Sequence, residues 1–349
     1  MNLVAVTAEG HLDVAPGDPP VLEWLSADAV SRDPAVANRD LFARKFAHEK
    51  SLDAILTLWA GMTVAEAARE FNAVFDALGI EELAGHGIEI GAGLAPFAAC
   101  AAARFRQVES ILAVELVPEV VRLLQRRVVR AIAGEAHARV RGVIGSFDEM
   151  RVTDGAMDFC LEFDALHHSD DLSKTLREAA RVLRPGGLLV CVDRAHPDWL
   201  TEEQRQIMLN VEYPLAWKRK QGYPDAPLTR RRNGEHEIRF AEWYRALDTA
   251  GFELDRRMEF RSVDFGRLVR KCLLAVPFGI RKRLDLWPSR VSPQTGELGW
   301  MFKSLMSGGT ADPVFRISAN EHTVFLARRK GAKVFSAPMV GKGAGVSEQ

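Results

Sequence analysis

Cysteine is scarce in this chain, and its few residues are widely separated. Four of the 349 residues are cysteine, namely Cys100, Cys160, Cys191 and Cys272, and no two of them form a C-x-x-C pair. This spacing argues against a disulfide framework and against a zinc knuckle, because both need cysteines that meet in pairs. We therefore expect a protein of a reducing compartment.

Long apolar stretches are also missing. No segment approaches the roughly 20 apolar residues that a membrane-spanning helix needs. Residues 1–7 have neither the basic region nor the long apolar core of a signal peptide. We therefore expect a cytoplasmic protein. Apolar residues make up 47% and charged residues 27% of the chain, which is ordinary for a globular protein, and the length allows one large domain or two.

Charge is nearly balanced overall but unevenly distributed. The formal net charge is −1, yet residues 214–290 hold 18 Lys and Arg against 10 Asp and Glu, which is +8 there and −9 elsewhere. Such a segment is typical either of a site for an anionic partner or of an ordinary solvated surface. The charge count alone favours neither.

The most informative segment is a glycine turn that follows an apolar strand. Residues 87–93 read GIEIGAG and precede a helix rich in small residues, and a second strand ends on Glu115, 22 residues after Gly93. A strand, a tight turn and a helix leave backbone N–H groups pointing at a ligand. An acidic residue at the next strand end can hold the two hydroxyls of a ribose. The pair predicts a cofactor that contains a nucleoside.

Two classes of cofactor use such a start. A dinucleotide fold requires the pattern G-x-G-x-x-G, whereas this chain has Pro96 at the third glycine position. The alternative is S-adenosylmethionine. It carries no phosphate, so the turn only has to approach its amino-acid end and its ribose.

Strands and helices alternate beyond the turn, which predicts an α/β fold with a doubly wound, mostly parallel, seven-stranded sheet. After the first strand we expect strands at 111–116, 140–144, 156–163, 188–193, 252–260 and 322–328, the last two pairing antiparallel. Thr63 and Glu66 have the spacing of a capping box, and Pro118 sits where a helix tolerates proline in its first turn. Residues 184–187, Arg-Pro-Gly-Gly, predict a sharp turn.

The predicted organisation has three parts. Residues 1–80 form a lead-in with a weak hairpin and a helical lid, residues 81–330 form the cofactor domain, and residues 331–349 form a flexible tail. Within the domain, 196–240 and 261–313 have no clean period and are expected to be insertions that cap the substrate.

Four blocks of this chain resemble the class I S-adenosylmethionine-dependent methyltransferases, in particular their broad type-11 group. The blocks are Gly87–Gly93, Glu115, the segment 158–168 (DFCLEFDALHH) and the segment 181–188 (RVLRPGGL). The resemblance covers residues 85–195 and, more weakly, 241–260 and 322–328. It implies S-adenosylmethionine as the cofactor and methyl transfer as the activity.

The resemblance also implies which residues hold the cofactor. Glu89 occupies the acidic strand position of the first motif, Ala95 stands where many members have glycine, and Ser146 stands where the family usually has an acid, for which Asp148 is a substitute. The cofactor-binding residues expected on this basis are Glu89, Gly91, Ala92, Gly93, Glu115, Leu116, Ser146, Phe147, Phe163, Asp164 and His168.

Methyl transfer to a hydroxyl is helped by a general base, and histidine suits that task. The candidates are His167 and His168, which follow the fourth strand, and His236. The competing interpretation is that these histidines pack on the cofactor, cap a helix or lie on the surface. We expect no metal, because adjacent residues in extended backbone point apart.

The insertions carry the expected acceptor site. Basic runs at 218–220, 230–232 and 281–283 flank aromatic residues, which suits an anionic group on the acceptor or RNA. Apolar residues 272–278 between basic residues suit a membrane surface or a lipid-tailed substrate. The favoured interpretation is a buried cap in which the side chains of His196, Trp199, Tyr213, Trp217 and Tyr223 line the pocket.

The sequence thus predicts a methyltransferase acting on a small or amphiphilic metabolite, with an anionic acceptor as one option. Nucleic acid is a less favoured partner, peripheral membrane contact stays open, and nothing indicates the oligomeric state. The rival functions are an RNA or protein methyltransferase, a non-catalytic protein that only binds S-adenosylmethionine and, third, a hydride-transferring dehydrogenase.

Overall fold

A nine-stranded sheet organises the computed structural model, which describes residues 19–25, 34–261, 291–293 and 321–331. The strands are β1 (Leu22–Glu23), β2 (Gly85–Ile90), β3 (Val108–Glu115), β4 (Val140–Ile144), β5 (Met157–Phe163), β6 (Leu183–Asp193), β7 (Phe252–Arg261), β8 (Val291–Pro293) and β9 (Glu321–Arg329). Their spatial order is β1-β4-β3-β2-β5-β6-β9-β7-β8. The seven predicted strands form its centre, and the short β1 and β8 extend the two edges.

The helices are α1 (Pro34–Phe46), α2 (Leu52–Ala60), α3 (Val64–Leu78), α4 (Pro96–Arg104), α5 (Arg126–Ala133), α6 (Leu172–Val182), α7 (Glu202–Leu209), α8 (Leu215–Gln221) and α9 (Phe240–Thr249). A π-helical turn at Val120–Gln125 leads into α5. The capping box of Thr63 and Glu66 at the start of α3 is confirmed.

The sheet is parallel from β1 to β6 and becomes antiparallel at β9, which pairs with both β6 and β7. The antiparallel pairing expected for the last two predicted strands is therefore confirmed. The turn predicted at 184–187 lies inside β6, where the register slips between Met157↔Leu183 and Phe159↔Leu188. Gly186 has a φ of +78° there, so the chain bulges without leaving the sheet.

Each face of the sheet has its own apolar core, as a doubly wound fold requires. One core joins α1–α4 to the sheet, with Phe71 of α3 stacked on Phe97 of α4 at 4.5 Å between ring centroids. The other joins α6 and α9, where the fully buried Trp243 stacks on Phe325 of β9 at 5.0 Å. The sheet lies between these two helical layers, and the carboxyl ends of its parallel strands form one edge of it.

Residues 196–240 contact the N-terminal helices. Lys45 Nζ of α1 donates to the carbonyls of Arg219 and Lys220 at 2.9 and 3.0 Å, and Gln221 Nε2 donates to the carbonyl of Leu58 at 3.0 Å. The division into lid, domain and tail stays a prediction. The expected hairpin before residue 19, most of the insertion at 261–313 and the tail after residue 331 lie outside the described residues. Within the described ranges, every helix is too short or too polar to cross a membrane.

Gly87 of β2 packs closely against Phe159 of β5. A methyl group added there would overlap the ring of Phe159, which is 1% exposed. We expect Gly87→Ala to lower the free energy of unfolding by about 1–3 kcal/mol, because an overpacked core must shift. Urea unfolding measures this, and Gly331→Ala is the control because an added methyl group there meets no atom within 4 Å. Equal stability of Gly87→Ala and the original protein would contradict the prediction.

Candidate functional site

The glycine turn lies against the loop that leaves β5. Gly91 has a φ of +61°, and a side chain there would collide with the methyl group of Ala165. The ring of Phe147, in the loop after β4, is 3.6 Å from the same position. Ala92, which is buried, continues the pairing of β2 by donating its N–H to Val114 O at 2.7 Å. The turn, the β4 loop and the β5 loop therefore meet at one edge of the sheet.

Glu115 ends β3 beside this turn. Its carboxylate accepts the backbone N–H groups of Gly93 and Val117, both at 2.9 Å, and the residue is 7% exposed. Two backbone donors hold the carboxylate at the strand end where a ribose would be bound. Gly91 and Gly93 keep the turn free of side chains. These residues fit S-adenosylmethionine, with Glu115 for the ribose and the turn for the amino-acid end.

Two features of the turn were not apparent from the sequence. Ala95, the N-cap of α4, has a φ of +55° and makes no side-chain cap, and glycine would adopt this left-handed conformation with less strain. Glu89 supplies the missing cap from β2, because its Oε2 accepts the N–H of Ala98 at 2.8 Å. Burial, aided by the nearby charge of Glu115 and opposed by the hydrogen bond from Ala98, raises the pKa of Glu89 to about 8.

The loop after β4 carries the residues that are expected to contact the adenine. Ser146 Oγ accepts the N–H of Asp148 at 3.1 Å, and the hydroxyl of Thr175 donates to the Asp148 carboxylate. Phe147 and Leu116 are both half-buried. Asp148 is thus tied to α6. The predicted roles of Leu116, Ser146 and Phe147 in adenine binding remain predictions.

Asp164 opens the loop after β5 in an unusual conformation. It has a φ of +53°, which is rare for a residue other than glycine and is found where surrounding contacts enforce it. Arg194 Nε is 2.9 Å from its Oδ1, as is Nε2 of His322. Partial burial acts to raise the pKa of Asp164, but Arg194, His322 and His167 together hold it well below its usual value. The preceding Phe163 stacks on His322 at 5.5 Å.

His167 is oriented by a buried carboxylate. Its Nδ1 is 2.6 Å from Oδ1 of Asp193, and its backbone N–H donates to Oδ2 of the same residue at 2.8 Å. Because a carboxylate can only accept, Nδ1 carries the proton and Nε2 carries the lone pair. His167 is 1% exposed, and its Nε2 has no hydrogen-bond partner among the described residues.

His168 is held differently from its neighbour. Its Nε2 is 2.8 Å from a guanidinium nitrogen of Arg39, and its Nδ1 is 2.9 Å from Gly234 O. Because arginine only donates and a carbonyl only accepts, the lone pair of Nε2 is already used. Burial, followed by the charges of His167 and Arg39, holds the pKa of His168 well below its ordinary value. His168 therefore links α1 to the β5 loop.

The other two histidines of the predicted site lie further out. His236 has a 41% exposed side chain, 3.4 Å from the carboxylate of Asp170. His196 is 3% exposed, and its Nε2 is 2.5 Å from Oε2 of Glu237. His167 combines a buried carboxylate on one ring nitrogen with no hydrogen-bond partner on the other, and neither of these two rings has that combination among the described residues.

Asp164, His167 and Asp193 lie close enough for a metal ion, since one ligand atom from each falls within 4.8 Å of the others. Arg194 already supplies positive charge to Asp164 at 2.9 Å. The backbone N–H groups of His167 and Arg194 occupy the two oxygens of Asp193. The cluster is therefore satisfied by protein groups, and we assign no metal to it.

Three of the predicted acceptor residues form one aromatic cluster. Tyr213 stacks on Trp217 at 4.5 Å with the rings 19° apart, and Tyr223 contacts the other side of Trp217 edge-on at 5.4 Å. Trp199 is 45% exposed and makes no ring contact with them among the described residues. The aromatic cluster of Tyr213, Trp217 and Tyr223 is therefore the apolar wall of this region.

Buried ion pairs connect the aromatic cluster to the β5 loop. The hydroxyl of Tyr213 donates to Glu235, which accepts from Arg194 at 2.7 Å, and Arg194 in turn holds Asp164. Arg230 pairs with Glu235 at 2.9 Å and also with Glu237. Burial acts to raise the pKa of Glu237, but the hydrogen bond and charge of His196, together with the charge of Arg230, lower it to about 2. These charges are buried but paired, as their desolvation requires.

Several of these residues were missed in the sequence. Asp193 ends an apolar strand on a carboxylate, just as Glu115 does, and the strand-end rule that identified Glu115 would have found it. No local signal marks Arg39, Arg194, Glu235 or His322, because their partners are between 30 and 158 positions away in the chain.

Residues 88–191 match the family of methyltransferase domains known as type 11. The match spans the glycine turn, Glu115, the β5 loop and most of β6. No curated protein matches the chain.

Solved structures share the fold. A protein of Galdieria sulphuraria assigned as a sarcosine dimethylglycine methyltransferase is 18% identical, with a TM-score of 0.51 over 83% of this chain and 98% of that one. Geranyl diphosphate C-methyltransferase from Streptomyces coelicolor A3(2) is 13% identical, with a TM-score of 0.49 over 82% of this chain and 88% of that one. At these identities the likeness concerns the fold alone. From the family match and the donor site, the chain carries a class I S-adenosylmethionine-dependent methyltransferase domain and is a methyltransferase.

Proposed function

We propose that this enzyme methylates a hydroxyl of a small amphiphilic metabolite. The observation that carries the proposal is the pairing of His167 with Asp193 at 2.6 Å, in the loop that touches the glycine turn. The pairing leaves Nε2 of His167 with its lone pair, buried and unpartnered. A general base held by a carboxylate is what a hydroxyl acceptor needs, because its proton must leave as the oxygen attacks the methyl group.

The aromatic cluster supports an acceptor with a flat or apolar part. Tyr213, Trp217 and Tyr223 present ring surface near the β5 loop, to which Tyr213 is connected through Glu235 and Arg194. Stacking on such rings contributes binding energy without demanding charge on the ligand. Acceptor and donor would then meet at the carboxyl edge of the sheet, where alignment can supply about 7–11 kcal/mol of the barrier reduction.

The basic runs of the 196–240 segment support a small acceptor more than RNA. Each run has a basic side chain that is paired with an acidic one. Lys218 is 1% exposed and pairs with Glu212 at 2.9 Å. Arg219 pairs with Asp225 at 2.7 Å, and Arg230 pairs with Glu235. Charges neutralised in this way release few counterions from a phosphate backbone. The basic run at 281–283 lies outside the described residues.

The proposal is tested with labelled S-adenosylmethionine and three acceptor pools: neutral amphiphilic alcohols and phenols, prenyl or aryl phosphates, and RNA. We expect label in the first pool, independent of salt between 50 and 200 mM, whereas RNA binding would weaken steeply over this range. Label only in RNA, or only in phosphates, would contradict the proposed acceptor. The absence of turnover with all pools, together with tight donor binding, would favour the non-catalytic alternative.

Within the first pool, we expect Trp217→Ala to raise the KM for the acceptor at least roughly 10-fold, because loss of a stacking surface costs about 1–3 kcal/mol. The affinity for S-adenosylmethionine, measured by calorimetry, should not change. The control is Leu215→Ala on the same helix, since Leu215 is 42% exposed and outside the aromatic cluster. An unchanged acceptor KM in Trp217→Ala would exclude the aromatic cluster as the acceptor wall.

A further inference from the structure

Trp59 lies directly over the glycine turn. It is the penultimate residue of α2, and its indole Nε1 is 2.7 Å from the position that a side chain on Gly93 would occupy. Two further ring atoms, Cε2 and Cζ2, are 3.1 and 3.2 Å from the same point. The indole therefore occupies the space that the absent side chain of Gly93 leaves open.

The polar groups of Gly93 already have other partners. Its N–H donates to Glu115 at 2.9 Å, and its carbonyl accepts Gln125 Nε2 at 2.8 Å. Trp59 therefore approaches Gly93 with the indole edge formed by Nε1, Cε2 and Cζ2. The indole thereby lies beside the turn that is expected to hold the amino-acid end of the donor.

The indole is fixed from two directions. Its ring meets the ring of Phe42 edge-on at 5.2 Å, and Phe42 is 1% exposed. The neighbouring Leu58 accepts a hydrogen bond through its carbonyl from Gln221 of α8 at 3.0 Å. The same hydrogen bond ties α2 to the segment that carries the aromatic cluster. Trp59 is thus held at the turn by both α1 and the 196–240 segment.

We propose that Trp59 recognises the sulfonium of S-adenosylmethionine and so lets this enzyme distinguish the methyl donor from its demethylated product. S-adenosylmethionine carries a positive sulfur, whereas S-adenosylhomocysteine carries a neutral thioether at the same place. Tryptophan is the side chain whose ring face attracts a cation most strongly, and the attraction grows when water is excluded. The proposal concerns the donor, so it does not depend on which acceptor is methylated.

The test compares the two ligands in a binding experiment that needs no acceptor. We expect Trp59→Leu to weaken S-adenosylmethionine roughly 10-fold (about 1.4 kcal/mol) while S-adenosylhomocysteine weakens less than about 3-fold. Trp59→Phe keeps a ring and should fall between Trp59→Leu and the original protein. Calorimetry gives both dissociation constants. The change in tryptophan emission on adding S-adenosylmethionine should be lost in Trp59→Phe.

Leu58→Ala is the matched control, because it loosens the same helix next to Trp59 without removing a ring. It should change both affinities by the same factor, and circular dichroism shows whether each variant is folded. Equal weakening of both ligands in Trp59→Leu would overturn the proposal, because Trp59 would then serve packing alone. Equal tightening of both would also overturn it, since the indole would then occupy the place of the donor.

Discussion

Replacing His167 by asparagine is expected to lower kcat by about 10²–10⁴-fold, the usual contribution of a general base. Asparagine can still donate to Asp193 from nearly the place of Nδ1, so the buried carboxylate keeps a partner. The lone pair of Nε2 is lost, and with it the group proposed to accept the proton of the acceptor. The measurement is single-turnover methyl transfer to the acceptor found among neutral amphiphiles, with donor affinity followed by calorimetry and expected to be unchanged.

Asp193→Asn tests the same pair from the other side. The amide can donate to Nδ1, which moves the ring proton to Nε2 and removes the base without removing the ring, so kcat should again fall by at least about 10²-fold. His48→Asn is the control, since His48 is exposed on the surface after α1. If His167→Asn kept full kcat with a hydroxyl acceptor, His167 would not be the base.

Replacing Glu89 by glutamine is expected to make the stability of the protein less dependent on pH. Burial raises the folded pKa of Glu89 to about 8, from its ordinary value of 4.5. The stability contributed by its protonated form is therefore complete below about pH 4.5 and is lost as the pH rises through about 8, at about 1.4 kcal/mol per pH unit. Glutamine is uncharged throughout, so on the order of 4 kcal/mol of this loss should be absent between pH 5 and pH 8.5.

Urea unfolding at several pH values measures the difference, and a constant slope against urea shows that the two proteins expose similar surface. Burial and the charge of Asp193 raise the pKa of Glu162 well above its usual value. Glu162 therefore adds the same pH dependence of stability to both proteins, and its effect cancels in the comparison. Glu149→Gln is the control, because Glu149 is exposed. Parallel curves for Glu89→Gln and the original protein would contradict the prediction.

The cofactor half of the site could be predicted because it follows local rules. A glycine turn between strand and helix, and a carboxylate at a strand end, are each contained in a few consecutive residues. The sheet edge then brings Gly91, Gly93 and Glu115 together by topology alone. The seven central strands followed from the alternation of apolar segments in the same way, and even the bulge in β6 lies at the predicted Arg184–Gly187 turn.

The contacts of the histidines and of the 196–240 segment could not be predicted in this way, because they join residues far apart in the chain. His168 is a residue type that can act as a general base, yet Arg39, 129 positions earlier, donates to its lone pair. His196 was expected to line the acceptor pocket, yet its Nε2 contacts Glu237, 41 positions later. A histidine is a base or a structural link according to what touches its two nitrogens, and sequence spacing does not specify those contacts.

By itself, the sequence determined the class of fold and the methyl donor, because periodicity, turn chemistry and strand-end residues act over short distances. The tertiary structure alone decided which histidine keeps a lone pair, which carboxylate holds it and where Trp59 lies. Those properties depend on the antiparallel insertion of β9, on the packing of α1 and α2 over the turn, and on the buried ion pairs of the 196–240 segment. Burial strengthens each of these contacts, and burial exists only once the chain has folded.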